Sequence, residues 1–128
     1  MRLASLFVFV FALAGTGLIA QDDLAQYQPH MKAAAAASGA LTKAITDKDA
    51  AAVKANVDTM VSNFDWIATF WQGKGKDDAV KFAKAASDAA KAVGAASPDD
   101  MAAAAAKIRP NCGGCHAVYR AGSAFKGL

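Results

Sequence analysis

Apolar residues recur along most of the chain in alternating steps of three and four. Leu24, Tyr27, Met31, Ala34, Ser38, Leu41 and Ile45 keep that rhythm over three heptads, the spacing that lines one face of an α-helix. Val53, Val57, Met60, Phe64, Ile67 and Trp71 repeat it. So do Ala79, Phe82, Ala86, Ala89 and Val93, and then Met101, Ala105, Ile108, Cys112, Cys115 and Tyr119. Breakers separate the four stretches. Thr46-Asp47-Lys48-Asp49 offers a turn and N-caps, Gly73-Lys74-Gly75 a flexible connector, and Gly94 a residue for the end of the third helix. Ser97-Pro98-Asp99-Asp100 has an N-cap, a proline at the first helical position and two acids where the helix dipole favours them. No stretch alternates with the period of a strand. The expectation is an all-α chain folded as an antiparallel up-down-up-down four-helix bundle.

Two prolines interrupt the pattern. Pro110 falls inside the fourth helix, which must kink or restart there. Pro29 falls two residues before Met31, so the first helix either begins near Gln28 or bends at this point.

The amino terminus stands apart. Arg2 is followed by the uncharged run LASLFVFVFALA, then by Gly15, Thr16, Gly17 and a small residue at Ala20. That order is the layout of a secretory signal. Residues 1–20 are therefore expected to be a signal peptide, cleaved after Ala20, and residues 21–128 a single domain that is periplasmic, with no membrane attachment after cleavage. Those 108 residues hold thirteen basic and eleven acidic side chains, every acid an aspartate. A net charge of +2 is too weak to indicate nucleic acid or an anionic membrane as a partner. Thirty of the 108 are alanine, the best helix former but one that buries little area. A small bundle with alanine seams needs something else inside it, and a large apolar cofactor would serve.

The only two cysteines stand in PNCGGCHAVYR, residues 110–120, where Cys112, Cys115 and His116 spell C-x-x-C-H. A thioredoxin-like pair needs a strand leading into a βαβ unit, and none is expected here. A structural zinc site wants four ligands, for which His30 would have to complete an unusual set. A disulfide across two residues would close a tiny loop and stabilise little. Covalent attachment of one haem c uses every part of the motif. Thiols three residues apart share a helix face, the next residue brings an imidazole to the same turn, and Gly113 and Gly114 let a porphyrin edge approach. No serine with a base, paired glutamates or phosphate-binding loop competes, so no enzyme is expected.

With that motif in the last helix, and Arg120 four residues after His116, the sequence resembles the cytochrome c′ family and its low-spin, methionine-ligated relatives. The stretch YQPHMKAAAAASGAL is similar to the family's distal segment, with Gln28 and Met31 matching and Tyr27 in place of the usual arginine. The resemblance implies a four-helix bundle with one haem, Arg120 beside the proximal face, and Met31 on the distal side. Met31, His30, Met60 and Met101 are the candidates for the sixth iron position. Met60 and Met101 read as seam packing, and His30 falls one step off the seam. Met31, placed in the first turns of its helix opposite the last turns of the fourth, is the expected ligand. Ala34 and Ala35 next to it leave open volume. A methionine–histidine pair raises the reduction potential and implies electron transfer with redox partner proteins. Without Met31 on the iron, the resemblance implies binding of a diatomic gas such as nitric oxide. Trp66 and Phe70 form a second apolar stripe on the second helix and suggest a homodimer.

Overall fold

A computed structural model of the chain describes residues 16–121 and 124–125. The apolar core of the expected signal falls outside the described residues. Helices are α1 (Thr16–Thr46), α2 (Ala50–Gly73), α3 (Asp77–Ala95), α4 (Met101–Ala105) and α5 (Arg109–Tyr119). They form a helical bundle: α1 packs on α2, α2 on α3, α3 on both α4 and α5, and α1 more sparsely on α4. The links between α1 and α2 and between α2 and α3 are so short that packed neighbours must run in opposite directions. Past α5, Arg120–Ala121 pairs with Ala124–Phe125 as a two-residue antiparallel ladder, β1 with β2, an element the sequence pattern did not suggest. Among the described residues, no helix is long and apolar enough to cross a membrane.

The breakers act in different ways. Asp49 caps α2, its Oδ1 accepting the Ala52 amide at 2.9 Å. Gly75 takes a positive φ of 67° in the link to α3, a conformation that costs glycine little. Gly94, by contrast, does not end α3, which runs to Ala95. A Cβ there would make an ordinary van der Waals contact, 3.4 Å from Val57 Cγ1 on α2. Ser97 is not a side-chain N-cap either. Its hydroxyl donates to the Asp100 carboxylate at 2.6 Å, and a turn leads into α4 at Met101.

The prolines divide too. Pro110 marks a restart: the fourth helical stretch breaks into α4 and α5, with Pro110 in the first turn of α5, where no amide partner is lost. Pro29 lies inside α1, which continues through it from Thr16. Met31 is therefore midway along a 31-residue helix and not in its first turns.

All six expected seam residues of α2 are buried. On α1 the buried stripe is Tyr27, Ala34, Ala37, Leu41 and Ala44, while Met31, Ser38 and Ile45 are only half buried at its edge. Trp71 is fully buried at the centre. One such ring removes about 150–250 Å² from water, against a single methyl for each alanine around it. Where α1 faces α4, alanines and small hydroxyl residues leave a cleft of about 370 Å³, edged by Thr42, Ile45, Ala105 and Arg109.

Candidate functional site

The C-x-x-C-H motif occupies the middle of α5, and three neighbouring helices converge on it. Cys112, Cys115 and His116 line one pocket with Tyr27 and Met31 of α1, Phe64 and Ile67 of α2, and Phe82 of α3. Residues 112, 115 and 116 share a face because three or four residues make one helical turn. Four of the five expected site residues therefore meet in one place. Arg120 does not line it. It is exposed just past α5, near enough for its charge to act on His116.

The rival candidates for the distal position lie elsewhere. Met60 is fully buried in the core, and Met101 is half buried against it. His30 points to the α1–α2 side, where its Nδ1 meets Asn63 Oδ1 at 2.8 Å and its ring stacks on Trp66 at 3.8 Å. Trp66 and Phe70 also contact Tyr27, at 6.4 and 4.9 Å between ring centres. Both rings of the α2 stripe on which self-association was expected are half buried, packed from the α1 side.

Electrostatics narrow what the thiols can do. Both are free and half buried. Burial pushes the Cys112 thiol up, and burial, then Asp78 and Cys112, push Cys115 to about 11. A reactive dithiol or a thiolate metal ligand needs the opposite shift. Among the described residues no three His, Cys, Asp or Glu side chains are grouped to hold a metal ion. His116 is lowered by burial and then by Arg120, which leaves its imidazole neutral at pH 7 with a nitrogen lone pair available.

The glycines of the motif are not equivalent. Gly113 is exposed, with nothing within 4 Å of where a Cβ would be, whereas Gly114 meets the Phe82 ring. Asn111, whose Nδ2 donates to the Lys107 carbonyl at 3.1 Å, also lines the pocket. It was not singled out in the sequence, although it precedes Cys112 and is four residues from Cys115.

Free space in the pocket is about 30 Å³, room for about one or two waters and far less than a porphyrin fills. The donors that face this space are two thiols, an imidazole and a thioether, set among apolar walls. Phe82, half buried on α3, is a wall with solvent on one side to yield toward. Comparison of the chain with protein-family models, with curated proteins and with solved structures gives no match.

Proposed function

We propose that this chain is an exported monohaem c-type cytochrome that transfers single electrons to partner proteins. Cys112 and Cys115 would hold the porphyrin through thioethers, with His116 as the proximal ligand and Met31 as the distal one. The observation that carries the reading is the single pocket shared by Met31 of α1 and Cys112, Cys115 and His116 of α5. Bound haem would supply a one-electron iron couple whose potential a methionine–histidine pair raises.

The chain's own residues prepare that chemistry. Protonated thiols avoid premature metal capture, a neutral His116 presents its lone pair, and Phe64, Ile67 and Phe82 exclude water. Met31, with an unbranched and flexible thioether, can reach a bound group from the middle of α1. Its neighbour His30 is occupied by Asn63 and Trp66, which favours the thioether as the sixth ligand.

Expression with a haem-maturation system in the periplasm tests the reading. Denaturing mass spectrometry should show one haem covalently added, and the spectrum should be low-spin in wild type and high-spin in Met31→Ala, with faster carbon monoxide binding. A bare polypeptide mass would sink the haem. An unchanged spin state in Met31→Ala would remove Met31 as the ligand, and a high-spin wild type would point to gas binding at an open position.

A further inference from the structure

The cleft between α1 and the segment from α4 into α5 shares no lining residue with the cysteine pocket. Its volume of about 370 Å³ is in the range that holds small-molecule ligands. On α1 the wall runs from Ser38 to Thr46, about 12 Å of helix. The facing wall runs from Ala102 across the break before Pro110 to Arg109, the first residue of α5.

Polar groups in this cleft lack the partners that their counterparts elsewhere have. Thr46, Thr59 and Thr69 donate their hydroxyls to the carbonyl four residues back, the usual arrangement inside a helix. Ser62 donates to a carbonyl three residues back, and Ser87 and Ser97 donate to carboxylates. Ser38 and Thr42 do none of these, and among the described residues neither hydroxyl meets a protein partner. Arg109 likewise makes no ion pair among the described residues. A surface cation without a partner is ordinary. What sets Arg109 apart is that it lines a cleft together with two such hydroxyls, and that no carboxylate lines it with them.

A guanidinium presents its N–H groups in a fork that matches a carboxylate, and a hydroxyl can donate to the same oxygens. One lining cation balances one negative charge, which a carboxylate carries and a phosphate exceeds. The rest of the lining is mostly apolar, with Ile45 on one side and Ala102 and Ala105 on the other. We propose that the cleft binds a small monocarboxylate with a short apolar tail. Arg109 takes the carboxylate, Ser38 and Thr42 donate to it from α1, and the tail covers Ile45 and the alanines. Binding of this kind requires no haem, so it stands or falls separately from the cytochrome reading.

Hexanoate, hexanol and hexylammonium, equal in chain length and different in head group, test it by NMR titration of the isotope-labelled chain. Hexanoate should give saturable shifts centred on the amides of Ser38, Thr42, Ala105 and Arg109, and the other two should bind at least tenfold more weakly. Arg109→Gln changes an exposed side chain and should weaken hexanoate at least tenfold. Ala105→Leu, which fills the apolar wall, should weaken it as well. Inorganic phosphate, a head group without a tail, should not displace hexanoate at equal concentration. Circular dichroism of each variant confirms that the fold persists. Hexanoate shifts that are absent, do not saturate or centre on Cys112 and His116 overturn the proposal, as does undiminished affinity in Arg109→Gln. Equal binding of the three probes, displacement by phosphate or undiminished affinity in Ala105→Leu overturns the assignment of a carboxylate with an apolar tail.

Discussion

Two adjacent glycines in one helix should respond to alanine in opposite directions. Gly113 and Gly114 both lie inside α5, so Ala at either position gains about 1 kcal/mol of helix propensity. At Gly113 nothing opposes the gain, because no atom lies within 4 Å of the added Cβ. At Gly114 the Cβ would sit 2.4 Å from Phe82 Cε1, 2.9 Å from Cζ and 3.1 Å from Cδ1. The ring must retreat about 1 Å to regain a carbon–carbon separation of about 3.5 Å. Overpacking of this kind costs about 1–3 kcal/mol, and the solvent side open to Phe82 sets the expectation at the lower half of that range. The propensity gain cancels in the comparison. Gly113→Ala should therefore exceed Gly114→Ala in stability by about 1–2 kcal/mol, or roughly 4 °C or more in Tm. Urea and thermal unfolding followed by circular dichroism give both values. Adding Phe82→Ala to Gly114→Ala should remove the penalty, a coupling that a double-mutant cycle isolates. Equal stability of the two single variants, or no coupling to Phe82, would refute the reasoning.

Asp49→Ala removes the acceptor for the Ala52 amide and should lower stability in urea by about 1 kcal/mol. Tyr27 is raised from 10.0 to about 12 by burial, and Tyr119 to about 12 chiefly by its hydrogen bond to Asp78. Both keep their protons when folded where the unfolded chain has lost them, so their stabilisation is complete below pH 10 and lost as pH rises toward 12. Tm should fall across that window, and less steeply in Tyr27→Phe/Tyr119→Phe. Asp78 is held below the usual carboxylate range, first by the Tyr119 hydrogen bond. Its contribution is present above its ordinary pKa and lost as pH falls through the lowered one, and Asp78→Asn should flatten that acid limb.

Much of the helical order was legible because its signals are local. The α2 rhythm from Val53 to Trp71 is buried throughout, since long side chains at three-four spacing have only one face to share. Asp49 caps α2 because its carboxylate is in reach of an amide three residues on. Gly94 and Ser97 misled for the complementary reason. Whether a helix stops at a glycine or runs one residue past it, as α3 does to Ala95, is set by contacts outside the local sequence. Whether a serine caps a helix depends on a competing carboxylate, here that of Asp100. Pro29 could not be placed from the sequence alone, because a proline there is compatible with a helix start or with a helix that runs through it, as α1 does from Thr16.

The site shows the same division. That Cys112, Cys115 and His116 share a face follows from helical spacing alone. Which residue opposes them does not, because His30 and Met31 are adjacent and differ by only about 100° around the helix axis. The burial of Tyr27, Ala34, Ala37, Leu41 and Ala44 settles the rotation of α1. It leaves Met31, Ser38 and Ile45, seven residues apart, along the edge that faces α4 and α5. Met31 lines the pocket with the thiols, and Ser38 and Ile45 line the larger cleft beside α4. Both spaces lie along one side of α1, where alanines on α4 and the break before Pro110 leave too little side chain to close the bundle. The sequence showed the alanines and the proline separately. Only the fold shows that they weaken the same seam, and that the cysteines lie on its far wall.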